Sequence, residues 1–495
     1  MAQVLPRPVS AEKQVPSYFR SRHIPRRFRG LLLGLFFLAV FAFLIHSHYF
    51  LSDPVDPVDP VYFLHGLPKP EPGPNPPRFF EWYEREKRLP QHNPDLPYPQ
   101  GRDGSYIRFA NQGNSVGWGN IMQEVILNAH LAYLSKRTYV FENYTWDMTP
   151  GDFSNFQGKP IPARVPLTSL LSGPTAGDPF PSSADTPPAV IPEFFYTVCP
   201  TPTIIHRDEV NGLLPGASAS SLFHAWIDKL EHIEDRCVEI QRGTWQVFDL
   251  WLFGDSSRLL DLWPSLSTSP IMTHFSWSPL IIAALVANAD VIHPALSSAT
   301  SSSFMPHSNP APLAGLLALH VRRGDYIDHC VHLTTWSAVY MGFNGFPGLP
   351  DKFPPPPPYG PDNVPPEEVV RYNRHCFPDI NQIVTRVREV RVSLLPTTSL
   401  TRVYVMTNGK PDWLRELKDA LQEDARREGL DEWDHIGTSR DLRLTREQRH
   451  NSQALDMAVA QRAEVFIGNG FSTMTSNSVM LRAAHEYPWN KTRFW

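Results

Sequence analysis

The feature that most constrains the fold is residues 316–326, where an apolar run gives way at once to His320, Arg322, Arg323 and Asp325. Such a run, bounded by a turn, predicts a buried β-strand. In open α/β sheets, ligands bind beyond the carboxyl ends of the strands. Two guanidinium groups there suit a phosphate, because each is a planar fork of donors that keeps its charge. The alternatives are a surface turn with an ion pair and an exposed Arg-Gly-Asp adhesion motif.

The composition is that of a globular chain and argues against several classes of protein. The 495 residues exceed one ordinary hydrophobic core, so at least two domains are expected. A net charge of -5 argues against nucleic-acid binding, which needs a basic face. The four cysteines have no CxxC spacing, which argues against a zinc ribbon or redox motif, and they permit two disulfides in an oxidising compartment. The sequence does not fix the pairing; Cys199–Cys237 with Cys330–Cys376 is the sequence-local choice.

The N-terminal part predicts a membrane anchor. Residues 30–52 contain no Asp, Glu, Lys or Arg and are about as long as a membrane-spanning helix. Closely spaced arginines precede them and aspartates follow, so residues 1–29 are expected to be a cytoplasmic tail and the rest lumenal. A cleaved signal peptide is the alternative. The proline-rich residues 53–104 predict an extended stalk. Two N-glycosylation sequons, at Asn143 and Asn490, are usable only in that topology.

Two segments of the remaining chain follow the strand–helix alternation of α/β domains. Residues 105–310 open with a strand, a glycine-rich turn at 113–120, a helix from Ile121 and a second strand, which is the order of a parallel βαβ unit. Residues 148–225 are rich in Pro, Ser and Gly and are interpreted as loops and a variable insertion. Residues 311–495 repeat the alternation. We therefore predict an α/β protein with two domains.

A hydroxyl-rich turn leads into the last predicted helix. Four of the five residues from Ser472 to Ser476 carry hydroxyl groups. A helix start of this kind can bind an anion through its backbone N–H groups and its dipole. Simple N-capping, which needs one hydroxyl, is the alternative. With Arg322 at a neighbouring strand end, the turn predicts a cradle for a diphosphate.

Three blocks of the sequence resemble the GDP-fucose fucosyltransferase superfamily, in particular its protein O-fucosyltransferase-like enzymes. The resemblance spans about residues 105–485, and the blocks occur in the expected order. They are Gly117-Trp-Gly119-Asn120, His320-Val-Arg322-Arg323-Gly-Asp325, and Asp456-Met-Ala-Val-Ala460 followed by Phe466-Ile-Gly-Asn469-Gly-Phe-Ser472-Thr473.

The resemblance implies a GT-B fold, in which two Rossmann-like domains (105–310 and 311–495) face each other across a cleft and the C-terminal one holds the nucleotide-sugar. It implies transfer of fucose from GDP-fucose to a protein or glycan hydroxyl with inversion, without an obligatory metal or cofactor. It also implies a single-pass type II protein of the Golgi or ER membrane, anchored through residues 30–52. A glycosyltransferase with another nucleotide-sugar and a non-catalytic lumenal binding protein of this fold are the alternatives.

The resemblance also implies roles for individual residues. Arg322 would contact the β-phosphate and stabilise the departing GDP, while Arg323 is expected to be structural, paired with Asp325 or the domain surface. Asn120 and His320 would line the donor and the reaction centre. The phosphate-binding hydroxyls would be those of Ser472 and Thr473.

No residue is an obvious general base for the acceptor hydroxyl. Glu124 lies one helical turn after Asn120 on the same face and is one candidate, and Asp325 is the other. A surface carboxylate or an arginine partner is the alternative for both. Asp456 would hold the guanine end of the pocket. The remaining substrate-binding candidates of the three blocks are Gly117, Gly119 and Asn469, and no metal-ligand set is predicted.

Overall fold

The computed structural model describes residues 75–181, 186–297, 311–354, 357 and 363–495. Contacts divide the chain into Met1–Tyr62 and Phe63–Trp495, and everything described belongs to the second unit. The predicted cytoplasmic tail, the predicted anchor (30–52) and the predicted stalk up to residue 74 lie outside the described residues. Within the described residues, no helix is long and apolar enough to cross a membrane.

Strands and helices alternate along the described chain. The strands are β1 (Tyr106–Phe109), β2 (Thr138–Val140), β3 (Tyr144–Thr145), β4 (Phe153–Phe156), β5 (Lys159–Pro162), β6 (Arg164–Val165), β7 (Leu171–Ser172), β8 (Thr203–Ile205), β9 (Cys237–Ile240), β10 (Ser276–Trp277), β11 (Leu313–Val321), β12 (Arg402–Thr407), β13 (His435–Thr438), β14 (Ala463–Gly468) and β15 (Thr492–Phe494). The α-helices are α1 (Phe80–Lys87), α2 (Trp118–Leu134), α3 (Pro192–Val198), α4 (Ala219–Glu231), α5 (Leu250–Phe253), α6 (Ser256–Leu259), α7 (Trp263–Thr268), α8 (Pro270–Thr273), α9 (Pro279–Ala287), α10 (Tyr326–Thr335), α11 (Pro366–Cys376), α12 (Ile380–Leu394), α13 (Pro411–Arg427), α14 (Arg446–His450), α15 (Ser452–Arg462) and α16 (Thr473–Ala484).

The first sheet consists of parallel strands in the order β2-β1-β9-β8. The predicted opening βαβ unit is confirmed, because β1, α2 and β2 follow one another and the two strands pair in parallel. The helix begins at Trp118 rather than at Ile121, so Gly119 lies in its first turn. The strands β4 to β8, the helix α3 and the start of α4 fall inside residues 148–225, where the sequence predicted loops. These strands have two to four residues each, too few to show an alternating pattern.

The second sheet consists of parallel strands in the order β13-β12-β11-β14-β15. Because β11 is the first of these along the chain, the winding direction reverses between β11 and β14. Open parallel sheets bind ligands beyond the carboxyl ends of the strands at such a reversal. The two sheets lie on either side of residue 310, near which the sequence places a domain boundary; the boundary itself stays a prediction.

The central strand β11 is buried on both faces, as its continuous apolar sequence predicts. Leu316 and Ala318 pack into the larger hydrophobic cluster, which includes residues of α2, α15 and α16. Leu317 and Leu319 belong to a second cluster, shared with α12 and α13. The alternation follows from strand geometry, in which successive side chains point to opposite faces. The polar residues after β11 are therefore positioned by a strand that is fixed from both sides.

The segment around α1 packs on the folded body, although the sequence placed it in the predicted stalk. Phe79 is buried, and the indole of Trp82 donates to Glu447 at 3.1 Å. The buried carboxyl group of Glu86 accepts from the backbone N–H (3.1 Å) and the hydroxyl (2.8 Å) of Thr168. A solvated linker makes no such contacts, so the chain has already joined the body at α1.

All four cysteines form disulfides, in the sequence-local pairing. Cys199–Cys237 joins the end of α3 to the start of β9, and Cys330–Cys376 joins α10 to α11. All four residues are buried. The two bonds therefore fix helices that lie beside each sheet.

A buried arginine links two helices to the edge strand β15 of the second sheet. Arg482, on α16, donates to the carbonyls of Ala460 and Lys491 and to the hydroxyl of Thr492. Its guanidinium carbon lies 4.4 Å from the ring centroid of Tyr487. Burial lowers the pKa of Arg482 to about 10. Backbone carbonyls thus solvate the charge and link α15, α16 and β15.

Replacing Arg482 with Leu should reduce the free energy of unfolding by more than about 3 kcal/mol, because buried carbonyls would lose their donors. Urea unfolding followed by circular dichroism measures this. Arg415→Leu is the matched control: that arginine is exposed and pairs with the exposed Asp412. The control should change stability by less than about 0.5 kcal/mol. Equal effects of the two substitutions would contradict the assignment.

Candidate functional site

His320 connects the end of β11 to the start of α16, at the point where the winding direction of the second sheet reverses. His320, near the end of β11, is buried, and its Nδ1 lies 2.9 Å from Oγ1 of Thr475 in the first turn of α16. The same Oγ1 accepts from the N–H of Asn469 at 3.1 Å, and the His320 carbonyl accepts from the Trp495 indole at 2.8 Å. Burial, with a contribution from Arg322, lowers the pKa of His320 to about 3. The imidazole is therefore neutral at physiological pH and joins the strand end to the helix start.

The two adjacent arginines after β11 have different surroundings. Arg323 is buried between the rings of Phe377 and Trp413, whose centroids lie 4.4 and 4.3 Å from its guanidinium carbon, and it donates to the Pro378 carbonyl. Burial lowers the pKa of Arg323 to about 10. Arg323 is thus structural, as predicted, but its contacts are these rings and this carbonyl instead of Asp325. Its burial also excludes an exposed Arg-Gly-Asp adhesion motif.

Arg322 lies on the open side of the strand end. Its side chain is 37% exposed and lies 3.8 Å from Asp325, and its guanidinium carbon is 5.7 Å from the ring centroid of Tyr326. Its Nε is buried and makes no hydrogen bond to any described residue. An exposed ion pair at this distance contributes little energy. Arg322 therefore keeps hydrogen-bonding capacity for a ligand.

The first turn of α16 is also open. Ser472 is the N-cap residue, and among the described residues no side-chain hydrogen bond caps the helix. Both Ser472 and Thr473 are half-buried. Asn344 holds the preceding turn, since its amide donates to the carbonyls of Gly470 (2.9 Å) and Ser472 (3.3 Å). An uncapped helix start, with its free N–H groups and positive dipole end, is an anion site.

Arg322 and the start of α16 share one edge of the second sheet. His320 contacts Thr475 directly, and Arg322 follows two residues later, a separation of at most about 7 Å along extended chain. Asn469 shapes the same edge: its amide donates to the Cys376 carbonyl at 2.9 Å and accepts from the Phe471 N–H at 2.9 Å. The amide of Asn469 is thus occupied inside the protein and positions backbone.

The glycine-rich turn of the first sheet meets α16 directly. A Cβ atom on Gly119 would lie 2.7 Å from Oγ1 of Thr473 and 2.9 Å from the backbone nitrogen of Met474. The Gly119 carbonyl accepts from the Asn477 side chain at 2.8 Å. Glycine is therefore required by a close approach of α2 to α16. The structure thus brings the first and last sequence blocks together.

Glu124 is buried behind the same turn. Its Oε2 accepts from the N–H of Gly113 at 2.9 Å, and its Oε1 has no hydrogen-bond partner in the described part of the chain. Burial raises the pKa of Glu124 to about 8. In this arrangement Glu124 supports the turn, and its role as a general base stays a prediction. Gly117 is the N-cap of α2, and Asn120 is half-buried in the first turn of that helix.

Asp325 is the candidate base that lies at the open edge. It immediately precedes α10 and is half-exposed beside Arg322. The hairpin formed by β4 and β5 reaches it, because Gln157 at the hairpin tip donates to Oδ2 of Asp325 at 3.3 Å. Segments from both halves of the chain therefore meet at this carboxylate.

Asp456 lies in a buried polar network beside β12. It accepts from the hydroxyl of Tyr404 at 2.8 Å and from Oγ of Ser439 at 2.9 Å. Burial raises the pKa of Asp456 to about 7. Since Ser439 directly follows β13, the carboxyl group lies near the same edge of the sheet as Arg322, two strands away.

Sequence reasoning missed two residues of this arrangement and the partners of two others. Tyr404 and Ser439 come from different strand segments, and no local pattern indicates that they share Asp456. Thr475 stood out as one of several hydroxyls, but its partner His320 is 155 residues away. Asn477 carried no signal as the partner of Gly119.

A metal site is not evident in the described part of the chain. No group of three or more His, Cys, Asp or Glu side chains is placed there to hold a metal ion.

Comparisons with known proteins return solved structures only. No family model matches the sequence, and no curated protein matches it. The crystal structure of POFUT1 in complex with GDP-fucose is 14% identical, covers 79% of this chain and 97% of its own, and has a TM-score of 0.46. NodZ α-1,6-fucosyltransferase soaked with GDP-fucose is 12% identical, with coverages of 76% and 92% and a TM-score of 0.30. A mutant of Arabidopsis thaliana FUT1 in complex with GDP is 13% identical, with coverages of 81% and 73% and a TM-score of 0.33.

The identities and TM-scores are low, so no statement about the substrate of this chain rests on the matches.

Gly119→Ala should lower the free energy of unfolding by about 1–3 kcal/mol, because the added methyl group would overlap the start of α16. Gly117→Ala is the control, since open space lies where its Cβ would be and its φ is -61°. Urea unfolding of both variants measures the difference. A control as destabilised as Gly119→Ala would contradict a close approach at Gly119.

Glu124→Gln should make stability less dependent on pH. Because the pKa of Glu124 is about 8 in the folded protein and its ordinary value is 4.5, the folded state holds a proton that the unfolded state releases between these values. Wild-type stability should therefore fall as pH rises through this window. The variant keeps an acceptor for Gly113 and should gain on the wild type from pH 5 to pH 9 in thermal unfolding. An unchanged difference across that range, or the same trend in the exposed-site control Glu416→Gln, would contradict the assignment.

Proposed function

We propose that this protein is a glycosyltransferase of the GT-B type that transfers fucose from GDP-fucose to a protein or glycan hydroxyl, with inversion at the sugar. The observation that carries the proposal is the placement of Arg322 and the uncapped start of α16 at the reversal between β11 and β14. A cation with free donors beside a free helix start is suited to a diphosphate.

The two halves of the chain supply opposite sides of the proposed site. The second sheet provides Arg322, Ser472 and Thr473 for the diphosphate. The first sheet provides the glycine-rich turn, which contacts Thr473 through Gly119. Asn120 lies on that turn and is assigned to the reaction centre. This contact between α2 and α16, which follow strands of the first and second sheet, supports the GT-B arrangement, with the donor mainly on the C-terminal half.

The chemistry follows from where charge develops. The acceptor oxygen forms a bond to the anomeric carbon as the bond from that carbon to the diphosphate breaks, and negative charge collects on GDP. Arg322 and the N–H groups of α16 are fixed in place to stabilise that charge. The acceptor hydroxyl must lose a proton to a base. Of the two candidate bases, Asp325 lies at the open edge, whereas Oε2 of Glu124 accepts a hydrogen bond from the N–H of Gly113.

Asp456 is assigned to the base of the nucleotide. Guanine presents neighbouring N–H donors, which a carboxylate can accept in pairs. Tyr404 and Ser439 hold the Asp456 carboxyl group in place. Residues that present a fixed acceptor of this kind discriminate against a base that lacks the matching donors.

We further propose a lumenal location with residues 30–52 as a membrane anchor. The charge asymmetry around that stretch supports the orientation. Two disulfides support an oxidising compartment such as the secretory pathway.

Thermal unfolding with nucleotides tests the proposal. GDP at about 100 times its Kd should stabilise the wild type by about 2.7 kcal/mol, whereas UDP should not. Arg322→Ala should slow transfer by roughly 10²–10³-fold, which corresponds to a loss of about 3–4 kcal/mol of barrier stabilisation. Arg322→Lys should restore little of the rate, because a fork of donors becomes a point charge. Arg88→Ala is the control, because Arg88 is exposed and distant in sequence from Arg322, and this variant should bind GDP and transfer fucose as the wild type does.

The alternatives give different results in the same experiment. Stabilisation by UDP and not GDP would indicate another nucleotide-sugar. GDP binding without transfer or donor hydrolysis would indicate a binding protein. Near-normal transfer by Arg322→Ala would refute the role given to that side chain.

A further inference from the structure

A row of rings extends along α10 from the candidate diphosphate site. It consists of Tyr326, His329, His332 and Trp336, and we call it the aromatic row. The ring centroids of Tyr326 and His329 are 5.1 Å apart, those of His329 and Trp336 6.2 Å, and those of His332 and Trp336 5.7 Å. Arg322 lies over Tyr326 at the other end. The row thus starts at the proposed leaving group and follows a helix about 15 Å long.

The far end of the aromatic row is open to solvent. Trp336 is 65% exposed, and His332 stacks on it at an interplanar angle of 17°. Ile327 and Val331, one helical turn apart on the same helix, are also exposed. These two side chains lie on the opposite face of the helix, so the exposed surface at this end of the aromatic row consists of the stacked rings of His332 and Trp336.

The near end of the aromatic row lies where the two halves of the chain meet. Asp325, the residue before the helix, receives the hydrogen bond from Gln157 of the β4–β5 hairpin. The near end of the aromatic row therefore lies beside Arg322, where the proposed leaving group would bind. The acceptor of a transfer reaction must bind beside the donor, as a ligand on this row would.

The chemistry of the aromatic row suits a neutral carbohydrate. Sugar rings have apolar C–H faces, which pack on aromatic rings, and hydroxyl edges, which can donate to or accept from imidazole nitrogens. Neither His329 nor His332 forms an ion pair with a carboxylate among the described residues. The helix has already used its backbone N–H and C=O groups internally, so it offers an extended peptide no main-chain pairing.

We propose that the aromatic row binds the acceptor, and that the acceptor is a neutral oligosaccharide. The proposal rests on the proposed function, because it takes the Arg322 edge to be the donor site. It narrows the acceptor from a protein or glycan hydroxyl to a glycan hydroxyl. In this assignment Trp336 is a specificity-determining residue remote from the reacting atoms, so it affects acceptor binding and leaves donor binding unchanged.

The test uses the full chain in detergent micelles, fluorescently labelled, on an array that carries neutral N-glycan oligosaccharides beside unglycosylated serine- and threonine-containing peptides. The wild type should bind oligosaccharides, Trp336→Ala should bind them at least tenfold more weakly, and Trp336→Phe should keep most of the affinity. Trp251→Ala is the matched control, since that tryptophan is 73% exposed and lies on α5, and it should bind as wild type. GDP stabilisation should be equal in all four proteins.

Three results would overturn the proposal: binding to peptides and not to oligosaccharides, no binding to either class, or equal oligosaccharide binding by the wild type and Trp336→Ala. Failure of the proposed function has a separate signature, which is the absence of GDP stabilisation in the wild type. Because binding to the array is measured without the donor, the array tests the role of the aromatic row whether or not GDP stabilises the wild type.

Discussion

The contact between His320 and Thr475 is the interaction on which the candidate site depends. It joins the end of β11 to the first turn of α16, and the strand order places these two elements side by side. Because β11 is buried on both faces, its end is fixed. The imidazole is neutral at physiological pH, so the contact does not change charge as a ligand arrives. The result is a rigid frame that positions two candidate anion-binding groups, the Arg322 side chain and the uncapped start of α16.

Two neighbouring arginines have different roles because their surroundings differ. Arg323 is enclosed by Phe377 and Trp413 and holds the chain after β11 in place. That anchor leaves Arg322 on the open side, with a weak ion pair and a buried Nε without a partner among the described residues. Planar guanidinium groups suit both roles, since they stack on rings and also fork towards phosphates. The surroundings, and not the residue type, decide which role each one has.

Much of the fold was predictable because the relevant patterns are local. β11, α13 and the opening βαβ unit each contain enough residues for hydrophobic periodicity to be read. β8 was missed because it is short, and the docking of α1 was missed because it depends on the distant partners Glu447 and Thr168. Arg322, Ser472 and Thr473 could be singled out because each lies at a strand or helix end that the sequence marks, and their roles in binding stay predictions. The network of Asp456 with Tyr404 and Ser439 was not, because its members come from separate segments.

The sequence by itself determined the α/β alternation, the placement of charged and hydroxyl residues after buried strands, and a glycine-rich turn before the first long helix. Only the tertiary structure decided that β14 lies beside β11, that Arg322 is the open arginine, and that Gly119 is needed because α2 approaches α16. The physical reason is that periodicity and turn chemistry act between residues a few positions apart. Strand order, burial and close approach arise from contacts between residues that are far apart in the chain.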